Sequence, residues 1–152
     1  MVLKDEKGRP SNNRTKISSI EIRPSKKIIR YFELSKNMAR SSPYGKIRHG
    51  AVLVKGGSVI NASFNKENFN SFGVRFRGQD CGPATHHAEL GCILGLPRSA
   101  TTGSTLFVCR VNRRGEFRLS RPCYMCHNAL KHVGVKKVYY TTNEGTIRMY
   151  KL

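Results

Sequence analysis

No apolar run in this sequence approaches the length of a membrane span, which leaves no candidate for an apolar transmembrane helix, and no membrane partner is expected. The opening residues, Met1-Val2-Leu3-Lys4-Asp5-Glu6-Lys7, lack the hydrophobic stretch that a secretory signal needs. An intracellular setting is therefore expected: cytoplasmic, nuclear or virion-associated. Acidic residues are scarce, with 9 Asp and Glu against 28 Lys and Arg, a net charge of +19. A chain with that balance repels itself and attracts polyanions, so nucleic acid, nucleotide or an anionic surface is the expected partner. A second C-x-x-C is also missing, and five cysteines is an odd number. Away from an oxidising compartment, metal binding or thiol chemistry fits Cys123-x-x-Cys126 better than a disulfide framework.

What is present fits one domain. The 152 residues can bury a single core, and 38% hydrophobic with 9% aromatic residues keeps the chain outside the disordered class. Residues 1 to 20 are polar and basic and read as a flexible tail, leaving 21–152 as one domain. The positive charge is shared between them. The chain through Arg48 carries net +9, and the part from His49 onward carries net +10, so the folded body must itself be basic.

Along the domain, Pro24-Ser25 opens a helix with Ile28, Ile29, Phe32, Ser35 and Ala39 on one side, ended by Ser41-Ser42-Pro43. His49–Lys55 and Ser58–Phe64 read as strands joined by a Gly56-Gly57 hairpin turn. Residues 66 to 84 have no clear period, and loops of that length are commonly functional. A helix is expected over Thr85–Leu94, a strand over Thr105–Val111 and a turn at Asn112–Gly115. Then come a helix over Cys123–Val133 and strands over Lys136–Thr142 and Thr146–Tyr150. The strand–helix–strand order of the second half requires a right-handed crossover with parallel pairing. An α/β domain of three layers around a mixed sheet of about five strands follows.

Two helix starts carry the chemistry: His87-Ala88-Glu89 and Pro122-Cys123-Tyr124-Met125-Cys126. Zinc takes thiolates and imidazole in a tetrahedron and, when catalytic, leaves one position open. Two cysteines three apart in a first helical turn can face one ion, and the helix dipole favours their thiolates. A histidine completes the protein ligands. Zinc lowers the pKa of a bound water to about 7, and Glu89 stands beside it as a proton carrier. A structural zinc knuckle would need a second cysteine or histidine pair, which the sequence lacks, and would have no use for Glu89. Helical spacing alone puts His86, three before Glu89, on the carboxylate's face, whereas His87 is two before it. Cys81, Cys92 and Cys109 read as small buried apolar residues, with Cys81 and His86 too few for a second metal site.

H-A-E followed 36 residues later by P-C-x-x-C resembles the zinc-dependent cytidine and deoxycytidylate deaminase superfamily, whose signature is H-x-E with P-C-x-x-C. The resemblance runs over residues 25 to 150, through H-G-A-V-L-V-K-G-G-S-V-I and A-L-K-H-V-G-V-K-K-V-Y-Y. It implies a cytidine deaminase-like α/β/α fold and one zinc per chain held by His87, Cys123 and Cys126. Glu89 would be the proton shuttle, with Asn65, Ala51 and Ala88 at the substrate. It also allows a homo-oligomer.

Substrate level stays open. Phe69, Phe72 and Phe76 alternate with Lys66, Arg75 and Arg77, as stacked bases and phosphates of a single strand would require, though the phenylalanines could equally anchor a loop. The stretch R-R-G-E-F-R-L-S-R, absent from the family pattern, brings Arg113, Arg114 and Arg121 toward the site. Charge favours cytosine in a nucleotide of dCMP type or in nucleic acid, deaminated to uracil with release of ammonia. The short Asn143-Glu144-Gly145 turn points instead to an antiparallel finish, as in enzymes for free cytidine or deoxycytidine. P-C-x-M-C also occurs in adenosine deaminases acting on RNA, and a catalytically idle nucleic-acid-packaging protein is the remaining alternative.

Overall fold

The computed structural model describes residues 18–76 and 85–152. In chain order the elements are β1 (Ile20–Ile22), α1 (Lys26–Arg40), β2 (Arg48–Lys55), β3 (Ser58–Phe64), β4 (Lys66–Phe69), α2 (Ser71–Val74) and β5 (Thr85–His86). They continue with α3 (Ala88–Ile93), α4 (Arg98–Thr101), β6 (Thr105–Val111), β7 (Phe117–Arg118), α5 (Tyr124–His132), β8 (Lys137–Thr141) and β9 (Ile147–Lys151).

The Ser25 hydroxyl caps α1 by accepting from the Ile28 amide at 3.3 Å, a contact worth about 1 kcal/mol. Tyr31, Phe32, Ser35 and Ala39 form the buried face of α1, whereas Ile29, expected there, is 43% exposed. Its place is taken by Tyr31, which rests on Phe107 at 4.8 Å between ring centres. The backbones of α1 and β2 approach so closely that a Cβ on Gly50 would lie 1.8 Å from the Ser35 carbonyl oxygen. Only glycine fits there.

Gly56 and Gly57 turn β2 into β3 with φ of 59° and 79°, the left-handed geometry that the glycine pair foretells. The sheet order is β1-β9-β8-β6-β2-β3. β6 and β8 run parallel, joined across α5 as the crossover argument requires, and β8–β9 is antiparallel. The five strands expected from sequence are the long ones. Two short ones extend the sheet: β1 on the outer edge of β9, and β7 alongside β6. Since β8 pairs with Thr105–Val108 and β7 with Arg110–Val111, β7 continues the β8 line past its end.

Alternation along β2 and β6 divides the core between the two faces of the sheet. Val52, Phe107, Cys109 and Val111 pack under α1. Ala51, Leu53, Leu106 and Val108 pack with Leu90 of α3 and Ala129 and Leu130 of α5. Cys92 and Cys109 are buried in this core, as small apolar residues should be, while Cys81 lies outside the described residues. The expected helix over Thr85–Leu94 is shorter than its apolar pattern: Thr85 and His86 are extended and pair with β4, so α3 starts at Ala88. Among the described residues, no helix is long and apolar enough to cross a membrane.

Candidate metal centre and active-site cavity

His87 is the N-cap of α3 and Cys123 the N-cap of α5, and neither side chain makes a capping hydrogen bond. Their backbone carbonyls accept the first helical bonds, from Gly91 at 3.1 Å and His127 at 2.8 Å. The imidazole and the thiol are thus released to point away from their own helices, and at the junction of α3 and α5 they meet. His87 Nδ1 lies 3.6 Å from Cys123 Sγ and 3.3 Å from Cys126 Sγ. All three donor atoms lie within 4.8 Å of one another.

Such a donor set fits zinc. Bond lengths near 2.0 Å to nitrogen and 2.3 Å to sulfur at tetrahedral angles place N and S roughly 3.6 Å apart. Burial drives the Cys126 thiol well above its ordinary pKa. A dication among the donors supplies the charge that makes a buried thiolate tolerable. His86 goes elsewhere: in extended backbone its ring turns away, with Nδ1 3.4 Å from the Asn70 amide nitrogen.

Glu89, in the first turn of α3, is 4% exposed. Burial pushes its carboxyl above the usual range, against the opposing pull of His87. A carboxyl so placed holds a proton more readily than a solvated one, as a group that picks up and hands on protons must. His87, Ala88, Glu89 and Cys123 form part of the wall of an open cavity of about 340 Å³. The rest of the wall consists of Tyr44, Ile47, His49, Asn65, Thr85 and Arg121.

Several expected substrate contacts take specific positions. Asn65 lines the cavity, but its side chain also braces β2: Oδ1 accepts from the His49 amide and Nδ2 donates to the Ile47 carbonyl, both at 2.9 Å. Ala51 is fully buried in the core beneath α3 and α5 and is not part of the cavity wall. Phe72 packs against that core and against Phe76 at 5.2 Å, anchoring its loop. Arg75 and Arg114 are exposed away from the cavity wall, and Arg77 lies outside the described residues. The Arg113 guanidinium sits over Gly45, within 3.5 Å of where a Cβ would stand. Arg121 does line the cavity, with its guanidinium 5.0 Å from the Tyr150 ring centre.

Sequence reading missed His49 and Tyr44. His49 is held neutral, its pKa lowered to about 4 chiefly by burial, then by Arg110 and His87. The signal was faint: a lone histidine at the start of a buried strand.

A mixed sheet thus brings histidine and cysteine donors from two helix mouths together, with a buried glutamate lining the same cavity. The chain belongs to the cytidine and deoxycytidylate deaminase family, whose zinc-binding region matches residues 25–142. Over 115 residues it is 31% identical to the tRNA-specific adenosine deaminase subunit tad2 of Schizosaccharomyces pombe. That stretch is 72% of this chain and 24% of the yeast protein, so the chain spans about a quarter of that relative's length. In structure it is similar to dCMP deaminase from cyanophage S-TIM5 in apo form, with a TM-score of 0.56 and 26% identity over 80% of this chain and 86% of that one. The complex of the same phage enzyme with dCMP and dUMP matches with a TM-score of 0.55 and 25% identity, covering 80% and 85% of the two chains.

Proposed function

We propose that this protein hydrolytically deaminates a cytosine base, carried on a nucleotide or a nucleic acid, to uracil with release of ammonia. The observation that carries this reading is Glu89 buried at the cavity wall beside the three converging donors. His87, Cys123 and Cys126 would hold one zinc ion, which when bound supplies Lewis acidity and a water acidified to a pKa of about 7. Glu89 accepts one proton of the attacking water and delivers it to ring N3 as oxygen adds at C4; it then takes the remaining hydroxyl proton from that oxygen and passes it to the amine, which leaves as ammonia when the C4–N bond breaks and the carbonyl forms. Ala88 packs between ligand and shuttle with no side-chain bulk to fill the base position.

Adenine in RNA is the second reading, favoured by the 31% identity to a tRNA adenosine deaminase subunit. Ammonia release from zinc-loaded protein separates them, with dCMP, deoxycytidine, single-stranded DNA and tRNA as substrates. Turnover of dCMP or of cytosine in DNA supports the first reading. Turnover confined to tRNA with inosine formed selects the second, and no ammonia from any substrate overturns the deaminase reading.

A further inference from the structure

β7 builds a feature outside the three-donor site. Across β2, β6 and β7 the register places His49 opposite Arg110 and Arg110 opposite Arg118. Ala51 and Val108 belong to the core beneath α3 and α5. By alternation, His49 and Arg110, each two positions along, face that same side, and Arg118 shares the face of its cross-strand partner. Phe117, one position away, points the other way and packs against Phe32 under α1. The row spans two inter-strand spacings, roughly 10 Å, and begins at His49 on the cavity wall.

Like charges directly opposite in a sheet repel. Here the repulsion is compounded by burial: Arg110 Nε is buried with no hydrogen-bond partner. A buried guanidinium nitrogen without an acceptor is costly unless an anion completes it. The ion pair of Arg118 with Glu116, at 3.9 Å on half-exposed side chains, is too weak to neutralise the pair.

The hairpin is also held rigidly. The buried Ser120 hydroxyl donates to the Val108 carbonyl at 2.9 Å and lies 2.9 Å from Thr141 Oγ1. Thr141 in turn donates to the Arg118 carbonyl at 2.7 Å. The end of β8 thereby fixes β7 against β6, so the backbone that carries both arginines is set before any ligand arrives.

We propose that Arg110 and Arg118 form a phosphate site at the mouth of the cavity, taking the phosphate attached to the sugar whose base is deaminated. Planar forks on adjacent strands suit a phosphate's oxygens. This deepens the deaminase reading and rests on it, since it places the phosphate beside the cavity that receives the base. Free nucleosides would bring no anion to the pair.

The test uses full-length zinc-loaded protein and calorimetric affinities for dUMP, deoxyuridine and inorganic phosphate. Arg118→Gln is compared with the double variant Arg110→Gln/Arg118→Gln and with Lys26→Gln/Arg30→Gln, which removes the same charge from the far side of the sheet. The preference for dUMP over deoxyuridine should fall at least tenfold in Arg118→Gln and further in the double variant, with inorganic phosphate binding lost in parallel. The α1 control should keep the wild-type preference within about twofold. An unchanged preference in Arg118→Gln, or an equal fall in the control, overturns the proposal. Inorganic phosphate carries no base, so its loss on Arg118→Gln sustains the site even if cytosine is not the base. Repeating the comparison with a single-stranded oligonucleotide identifies the source, monoester or backbone diester; a loss with either supports the site.

Discussion

The two faces of β6 carry opposite chemistry on one seven-residue segment. Toward α1 it presents Phe107, Cys109 and Val111, and Phe107 alone contacts Tyr31, Phe32 and Tyr139 within 5.7 Å between ring centres. Toward α3 and α5 it presents Leu106 and Val108, but then Arg110, beside His49 of the cavity wall. The first face is an apolar seal. The second becomes progressively polar toward the end where the helix mouths meet, because ligands, shuttle and substrate need groups that a core excludes. Both faces contribute core, and only the second also carries the chemistry.

The largest effect that would sharpen this contrast is at the metal. Cys123→Ala should abolish zinc retention and activity together and lower thermal stability, because two remaining protein ligands cannot close the site. Elemental analysis and thermal unfolding, with and without chelator, check this. A variant that keeps stoichiometric zinc breaks the ligand assignment.

Glu89→Ala should keep zinc and fold while losing turnover by roughly 10²- to 10⁴-fold, the usual reach of general acid–base catalysis. Zinc content measured beside ammonia release tells a shuttle from a ligand. Loss of zinc in this variant would mean that Glu89 ligates. His86→Ala and His87→Ala form the companion pair, and only the second should empty the centre.

On the α1 face, Phe107→Ala should destabilise the fold by about 3–5 kcal/mol through the cavity it leaves. The fraction that remains folded should still bind zinc one to one. Urea unfolding followed by metal analysis reads both. If zinc affinity fell as steeply as stability, the two faces would be coupled and the contrast would fail.

The smallest expected effect is at Cys109. Burial raises its thiol to about 11 from an ordinary value of 9.0. The folded state holds its proton over that interval, so this thiol's stabilising contribution is complete below pH 9 and is lost as pH rises toward 11. Alkylation at pH 8, followed by mass spectrometry, should leave Cys109 unmodified until the protein is unfolded.

Much of this architecture is written locally. Pro24-Ser25 starts α1 because proline and a capping hydroxyl favour a helix end wherever they occur. Gly56-Gly57 makes the hairpin because positive φ is open to glycine. The strands β4 and β5 were not legible. Thr85 and His86 carry a helix-compatible pattern, and only pairing with residues some twenty positions earlier holds them extended. β1 and β7 escaped notice for a related reason, since two or three residues show no periodicity.

The candidate site divides in the same way. The sequence by itself determined the donor types, their place at two helix starts and the glutamate beside them, because motif spacing and helix capping are local properties. It also determined a basic body as well as a basic tail. Only the tertiary structure decided that His87 meets the cysteines while His86 turns to Asn70, and that Arg110 and Arg118 face the cavity side while Arg113 lies over Gly45. Which way a side chain faces depends on strand register and on the exact residue at which a helix begins. Both are set by contacts between segments far apart in the chain, and a one-residue shift in either would reverse the outcome.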